Sequence, residues 1–164
     1  MPEIYKIATL NINGMATPPR IAMLEDFLQK QEVDIIFLQE VIRPVFDDIR
    51  GFTVYTNIGT TGRGTAILTQ DHIPLTNIVC LPTGRGMAAQ FQNVTIVNIC
   101  APPGAKRMRD KENLFSNELP HVLRDIPPSL LVGGDFNWSL QTLTPQDIQT
   151  TAGPCKSLSE YLIY

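Results

Sequence analysis

Short apolar runs, each ending on a polar group, dominate the hydrophobic pattern of the chain. In Ile4 to Ile12, the positions Ile4, Lys6, Ala8 and Leu10 alternate with Tyr5, Ile7 and Thr9, which predicts a mostly buried strand ending at Asn11. Asn13-Gly14 is turn chemistry. Pro18-Pro19 then introduce a helix of about three turns with Ile21, Leu24, Phe27 and Leu28 on one face and Pro19 near its first position. Val33 to Leu38 (VDIIFL) reads as a second buried strand that stops on Gln39-Glu40, completing a βαβ-like opening.

The middle of the chain changes rhythm. Phe52 to Asn57, Gly64 to Thr69, Met87 to Phe91 and Val94 to Ile99 read as short strands separated by Gly, Pro and Asn, the pattern of antiparallel pairing. Gln92-Asn93 suits a tight hairpin between the last two. Pro102-Pro103-Gly104 breaks the sheet, and a basic helical stretch follows, with Leu114, Phe115, Leu119, Val122 and Leu123 as its apolar face and Pro120 expected to kink or restart it. Pro127-Pro128 end that stretch. Leu130 to Trp138 (LLVGGDFNW) then runs as an apolar strand through two glycines onto Asp135, with Asn137 two positions later. Strands of open α/β sheets present ligand-contacting groups at their carboxyl ends, so Asp135 and Asn137 stand where chemistry is usually found.

Composition narrows the class. A chain of 164 residues that is 43% hydrophobic and 18% charged has the balance of one globular domain, 1–164, without repeat, low-complexity tract or linker. No apolar run is long enough to span a bilayer and the start lacks signal-peptide character, so the expectation is an intracellular protein, nuclear or cytoplasmic, with no membrane partner. Cys80, Cys100 and Cys155 are widely spaced, which indicates reduced thiols rather than a disulfide framework or a zinc site. The net charge of -3 gives no global attraction to nucleic acid. A DNA partner would need a local basic patch and a metal.

Three strands thus end in Asn11, Glu40 and Asp135-Phe136-Asn137. Polar groups that follow directly on buried apolar residues need partners. Each alone is also compatible with an ordinary satisfied strand end. Together they would suit a hard cation: Mg²⁺ is held by one or two carboxylates, here Glu40 and Asp135, while waters and phosphate oxygens complete its octahedron. Lys106, Arg107, Arg109 and Lys111 cluster after the Pro103-Gly104 break, and Arg63 and Arg85 lie in Gly-flanked loops. These residues suit DNA phosphates. The cluster equally suits a solvated helix face balanced by Asp110 and Glu112.

ATLNING (8–14), IIFLQE (35–40), RGTAIL (63–68), IVNICAP (96–102) and VGGDFN (132–137) occur in the order and spacing of the endonuclease/exonuclease/phosphatase superfamily. The chain resembles most the apurinic-endonuclease-like nicking domain of non-LTR (LINE-type) retrotransposons, which accompanies a reverse transcriptase. The resemblance implies an α/β (α+β) fold of two packed mixed β-sheets flanked by helices, and Mg²⁺-dependent endonuclease activity on DNA, with Mn²⁺ as an alternative ion. It implies Glu40 as principal metal ligand with Asn11 in the metal and phosphate shell. Asp135 would orient and deprotonate the attacking water, and Asn137 would hydrogen-bond the scissile phosphate. Cys100 takes the place of the family's phosphate-positioning residue, although alone it also reads as a small buried hydrophobe, and the basic residues Arg63, Arg107 and Arg109 are the candidates to contact substrate.

Two departures qualify this expectation. Cys100-Ala101-Pro102-Pro103 stands where the family has a Tyr-Ala-Pro-Asn pattern, so a phenol and an amide are replaced by a thiol and a proline. The later family strands, with their terminal Ser-Asp-His motif, have no counterpart before Tyr164, and Asp71-His72 falls at the wrong place in the order. His72 and His121 read as surface residues. The expectation is therefore a domain incomplete at its C-terminus, with weak or lost catalysis and an unpaired sheet edge open to association. Another phosphoesterase of the superfamily, acting on phosphoinositides or other phosphate esters, and a non-catalytic binding relic are the alternatives.

Overall fold

The structure, a computed structural model, describes residues 4–14, 17–42, 48–104, 107–124 and 129–137. Two four-stranded sheets pack face to face. The first has the order β1 (Ile7–Asn11), β2 (Ile35–Ile42), β4 (Arg63–Gln70), β3 (Phe52–Ile58), and the second has β5 (Thr76–Cys80), β6 (Gly86–Phe91), β7 (Val94–Cys100), β8 (Ser129–Asp135). Both sheets are mixed. β1 and β2 run parallel, joined by helix α1 (Pro18–Gln31), and β7 and β8 run parallel, while the other pairs are antiparallel. The Gln92-Asn93 hairpin forms as expected, with Gln92 at φ 52°.

The side chains of the central strands divide between layers by their two-residue period. On β2, Ile35 and Phe37 face the second sheet and meet Ile67, Met87, Ala89 and Ile96, whereas Ile36 and Leu38 face α1 and meet Leu24 and Leu28. Burial on both faces explains why β2 reads as a continuous apolar run rather than an alternating one. On β7, Ile96 points into the gap between the sheets. Val97 and Ile99 point the other way, onto Leu114, Phe115 and Leu119 of a second helical layer. That layer comprises α2 (Met108–Asn113), one π-helical turn (Leu114–Glu118) and α3 (Leu119–Val122). The order of layers is helix, sheet, sheet, helix.

Three readings are corrected. β1 is an edge strand with Ile7 and Leu10 more than a third exposed; it pairs only with β2, so only one of its edges is covered, and Ile12 just beyond it is the buried residue. β2 does not stop at Gln39-Glu40 but continues to Ile42. The restart expected at Pro120 is found: after the π turn a new segment, α3, begins at Leu119 with Pro120 in its first turn, where its missing N–H costs little. β5 was not foreseen; all its residues are exposed at a sheet edge, so no hydrophobic alternation marks it. No helix among the described residues is long and apolar enough to cross a membrane. Cys155 and Trp138 lie outside the described residues, as does Lys106.

Candidate active site

The carboxyl ends of β1, β2, β7 and β8 meet at one end of the sandwich, and each brings one residue: Asn11, Glu40, Cys100 and Asp135. Parallel pairing aligns them. Asn11 is in register with Gln39, and Cys100 with Asp135.

Glu40 reaches this place through a β-bulge. Gln39 pairs with Thr65 and Val41 with Gly64, so Glu40 is the extra residue, at φ 56°. On the α1-facing row the sequence of buried positions is Ile36, Leu38 and then Val41. An unbroken strand would have put Glu40 in that apolar layer; the bulge gives the place to Val41 and turns the carboxylate out to the strand end. A left-handed conformation in a non-glycine residue costs roughly 1–2 kcal/mol. The backbone around it is tied down: the Glu40 carbonyl accepts from Gly14 N–H at 2.9 Å, and the Gln39 carbonyl from Ile12 N–H at 3.0 Å.

Beneath Glu40 a buried amide network spans the two sheets. Gln39 Nε2 donates to Asn98 Oδ1 at 2.8 Å and to Thr9 Oγ1 at 3.0 Å, and Asn98 Nδ2 donates to the carbonyls of Leu38 and Ala66. Both side chains are fully enclosed and fully partnered. A second amide, Asn57, ties the first sheet to the β5–β6 turn through the carbonyls of Leu81 and Gly86.

Asn11 is the hub of the surface cluster. Its Oδ1 accepts the Asn13 backbone N–H at 2.9 Å, which fixes the orientation of the carboxamide, and its Nδ2 faces both carboxylates, at 3.2 Å from Glu40 Oε1 and 2.9 Å from Asp135 Oδ2. Glu40 Oε2 is 3.0 Å from Arg63 Nη1. Asp135 Oδ1 accepts the backbone N–H of Asn137 at 2.8 Å, closing an Asx turn that leaves Asn137 at φ 49°. Asn137 Nδ2 donates to the Ala101 carbonyl at 2.6 Å. The glycines before Asp135 are there for backbone approach: Gly134, at φ 136°, lies so close to Ile99 that a Cβ would collide with its carbonyl oxygen, and a Cβ on Gly133 would stand 2.7 Å from the Phe37 ring.

A cavity of about 390 Å³ opens beside the cluster, and Glu40, Cys100, Asn137, Arg63, Arg85 and Arg107 are among the residues that line it. Cys100 is buried. Burial pushes its thiol above the usual value; the Asp135 and Glu40 carboxylates add to the rise, while Arg85 and the Glu40 backbone N–H pull against it. Arg85 was named in the sequence only as a Gly-flanked loop residue, and it is half-buried with Nη1 at 3.4 Å from the Cys100 carbonyl.

The structure thus gathers Asn11, Glu40, Asp135, Asn137, Cys100, Arg63 and Arg107. It does not gather Arg109, which lines a separate depression with Glu112, Asn113, Ser116 and Asn117. Lys111 leaves the basic surface cluster altogether, being buried beneath α2. His72 and His121 are exposed and neither lines the cavity.

The donor set fits a hard divalent cation. Two like-charged carboxylates converge on a single amide nitrogen, a placement that a cation stabilises. Among the described residues no group of three His, Cys, Asp or Glu side chains surrounds a common point.

No curated protein matches the chain. Among solved structures it is similar to an AP endonuclease from Archaeoglobus fulgidus, with 20% identity and a TM-score of 0.67 over 89% of this chain and 63% of that one. It is similar to the 3′ phosphatase NExo from Neisseria bound to product DNA hairpin, with 22% identity and a TM-score of 0.67 over 82% and 58%. It is also similar to the endonuclease domain of TRAS1, a telomere-specific non-LTR retrotransposon, with 18% identity and a TM-score of 0.66 over 94% and 72%. The chain spans less than two thirds of the length of the first two. These likenesses agree on the two-sheet sandwich and do not single out the retrotransposon type. The family model for endonucleases, exonucleases and phosphatases matches residues 8–156, nearly the whole chain, and the protein belongs to the Endonuclease/Exonuclease/phosphatase family.

Proposed function

We propose that this protein hydrolyses phosphodiester bonds in DNA with the help of a divalent cation, nicking a strand internally in the manner of the retrotransposon endonuclease domains. The observation that carries the reading is the double donation of Asn11 Nδ2 to Glu40 and Asp135, which binds the ends of three strands into one acidic centre. Glu40 would hold the cation, with Asn11 keeping its carboxylate in place beside Asp135. When bound, a Mg²⁺ ion (or Mn²⁺ in its stead) neutralises phosphate oxygens and stabilises the leaving oxygen.

This chain's residues would do the rest. Asp135 has both oxygens held from the side, by Asn137 N–H and Asn11 Nδ2, and retains lone pairs for a water. It would take that water's proton as the oxygen bonds to phosphorus and the opposite P–O bond breaks. Asn137 lines the cavity next to Glu40 and would contact the phosphate under attack. Arg63, Arg85 and Arg107 would hold flanking phosphates along the cavity wall. Turnover is expected to be slow, because the thiol of Cys100 is a weak donor at the place where the family pattern carries a phenol.

Incubation with supercoiled plasmid and Mg²⁺ tests the reading. Open-circle product that disappears with chelator and in Glu40→Ala is expected; no product with either Mg²⁺ or Mn²⁺ overturns it. A hairpin carrying a 3′-phosphate, offered in parallel, detects a phosphatase instead.

A further inference from the structure

We propose that Lys111 is a positioning residue, whose buried ammonium holds the Asn137 carbonyl and thereby sets the Asp135-to-Asn137 segment for the phosphate. The proposal rests on the phosphodiesterase reading for its role in turnover and on geometry alone for the contact.

Among the described residues Lys111 is the only charged side chain in the buried set, 6% exposed. A buried ammonium is unfavourable unless charge-assisted hydrogen bonds compensate it. Its Nζ donates to the Asn137 carbonyl at 2.7 Å. Asn137 needs such a restraint. It stands in the left-handed region just beyond the last residue of β8, past the ladder that ends at the Cys100–Asp135 pair. Three contacts fix it there: its N–H on Asp135 Oδ1, its side-chain amide on the Ala101 carbonyl, and its own carbonyl on Lys111. The first two come from β8 itself and from the segment after β7. The third alone ties it to the helical layer, and it is the only one of the three that carries a formal positive charge. Lys111 is buried and does not line the cavity with Arg63, Arg85 and Arg107, so a direct contact with DNA is not its expected role.

Lys111→Met keeps the length and apolar stem of the side chain and removes the donor. In this variant the backbone and side-chain amide NMR signals of Asn137 should shift and lose exchange protection, while β6 and β7 keep theirs. Turnover in the supercoiled-plasmid nicking assay should fall about tenfold or more, with KM for DNA changed by no more than about twofold. Lys111→Arg, which keeps the charge and donors, should recover part of the lost turnover and of the Asn137 protection. Unchanged Asn137 signals in Lys111→Met overturn the proposal. So does a raised KM with a shallower salt dependence, the mark of a direct phosphate contact. If the wild-type chain cleaves no DNA, the functional reading falls, and the Asn137 signals in the two variants still decide whether Lys111 holds this segment. If Lys111→Met does not fold, the Lys111→Arg and Lys111→Gln proteins are compared: equal Asn137 protection in the two overturns it.

Discussion

Gln39 and Asn98 are hydrogen-bonded at 2.8 Å across the interior of the sandwich, one residue before the bulge that carries Glu40. The pair joins the sheets at the level of the site, so the acidic centre is braced from within by neutral amides. Asn98→Ala would leave the Leu38 and Ala66 carbonyls short of a donor, while Gln39 Nε2 keeps Thr9 Oγ1 and the Phe37 carbonyl. Each such orphaned group costs about 1–3 kcal/mol, so a total loss of about 3 kcal/mol in denaturant unfolding is expected. A loss below about 1 kcal/mol would mean that water or neighbouring groups replace the amide.

The bulge predicts a separation of stability from activity. Glu40→Ala keeps the left-handed strain at φ 56°, whereas Glu40→Gly relieves it. The glycine variant should be the more stable of the two by about 1 kcal/mol, although both remove the carboxylate proposed to hold the cation and both should be inactive. Loss of the exposed Arg63 pairing itself contributes little to either, since such pairs are worth about 0–1 kcal/mol. Equal unfolding midpoints would show that the backbone relaxes when the carboxylate is gone.

The two arginines of the basic stretch part company. Arg107 lines the cavity and Arg109 does not. Arg107→Ala should weaken DNA binding and reduce the slope of log affinity against log salt by about 1. Arg109→Ala should leave the slope nearly unchanged. Equal effects would move the DNA track from the cavity onto the outer face of α2.

Cys100 yields a pH dependence whose sign follows from its raised pKa. Below the ordinary thiol value of 9.0, folded and unfolded states both keep the proton and stability is unaffected. Above it the unfolded chain releases the proton first, so the native state loses stability as pH rises through 9.0 towards the higher folded value. Urea midpoints should therefore fall more steeply above pH 9.0 in the wild type than in Cys100→Ala. In thiol labelling near neutral pH, exposed Cys80 should react before buried Cys100. Parallel pH curves for the two proteins would contradict this.

Much of the site was legible because apolar strands that end on polar residues announce their function locally. The ends at Asn11, Glu40 and Asp135 needed only a two-residue period and a stop. Glu40 was found for an incomplete reason: Gln-Glu-Val carries no local sign of a bulge, and the choice of Val41 over Glu40 for the α1 layer is made by tertiary packing. Lys111 was grouped with its basic neighbours because a charge run looks the same whether its members face water or the interior. β5 escaped because an exposed edge strand has no hydrophobic period to display. The exposure of β1 escaped for the opposite reason, since its apolar residues mimic a core strand.

The reach between Asn11 and Asp135, 124 positions apart in the chain and joined by one hydrogen bond, has a consequence for biosynthesis. Parallel strands cannot zip from a hairpin, so β8 can pair with β7 only after the helical crossover between them has been synthesised. A nascent polypeptide that has emerged only as far as β7 has Asn11 and Glu40 but no acid opposite them. The acidic cluster can therefore come together only once β8 has been synthesised.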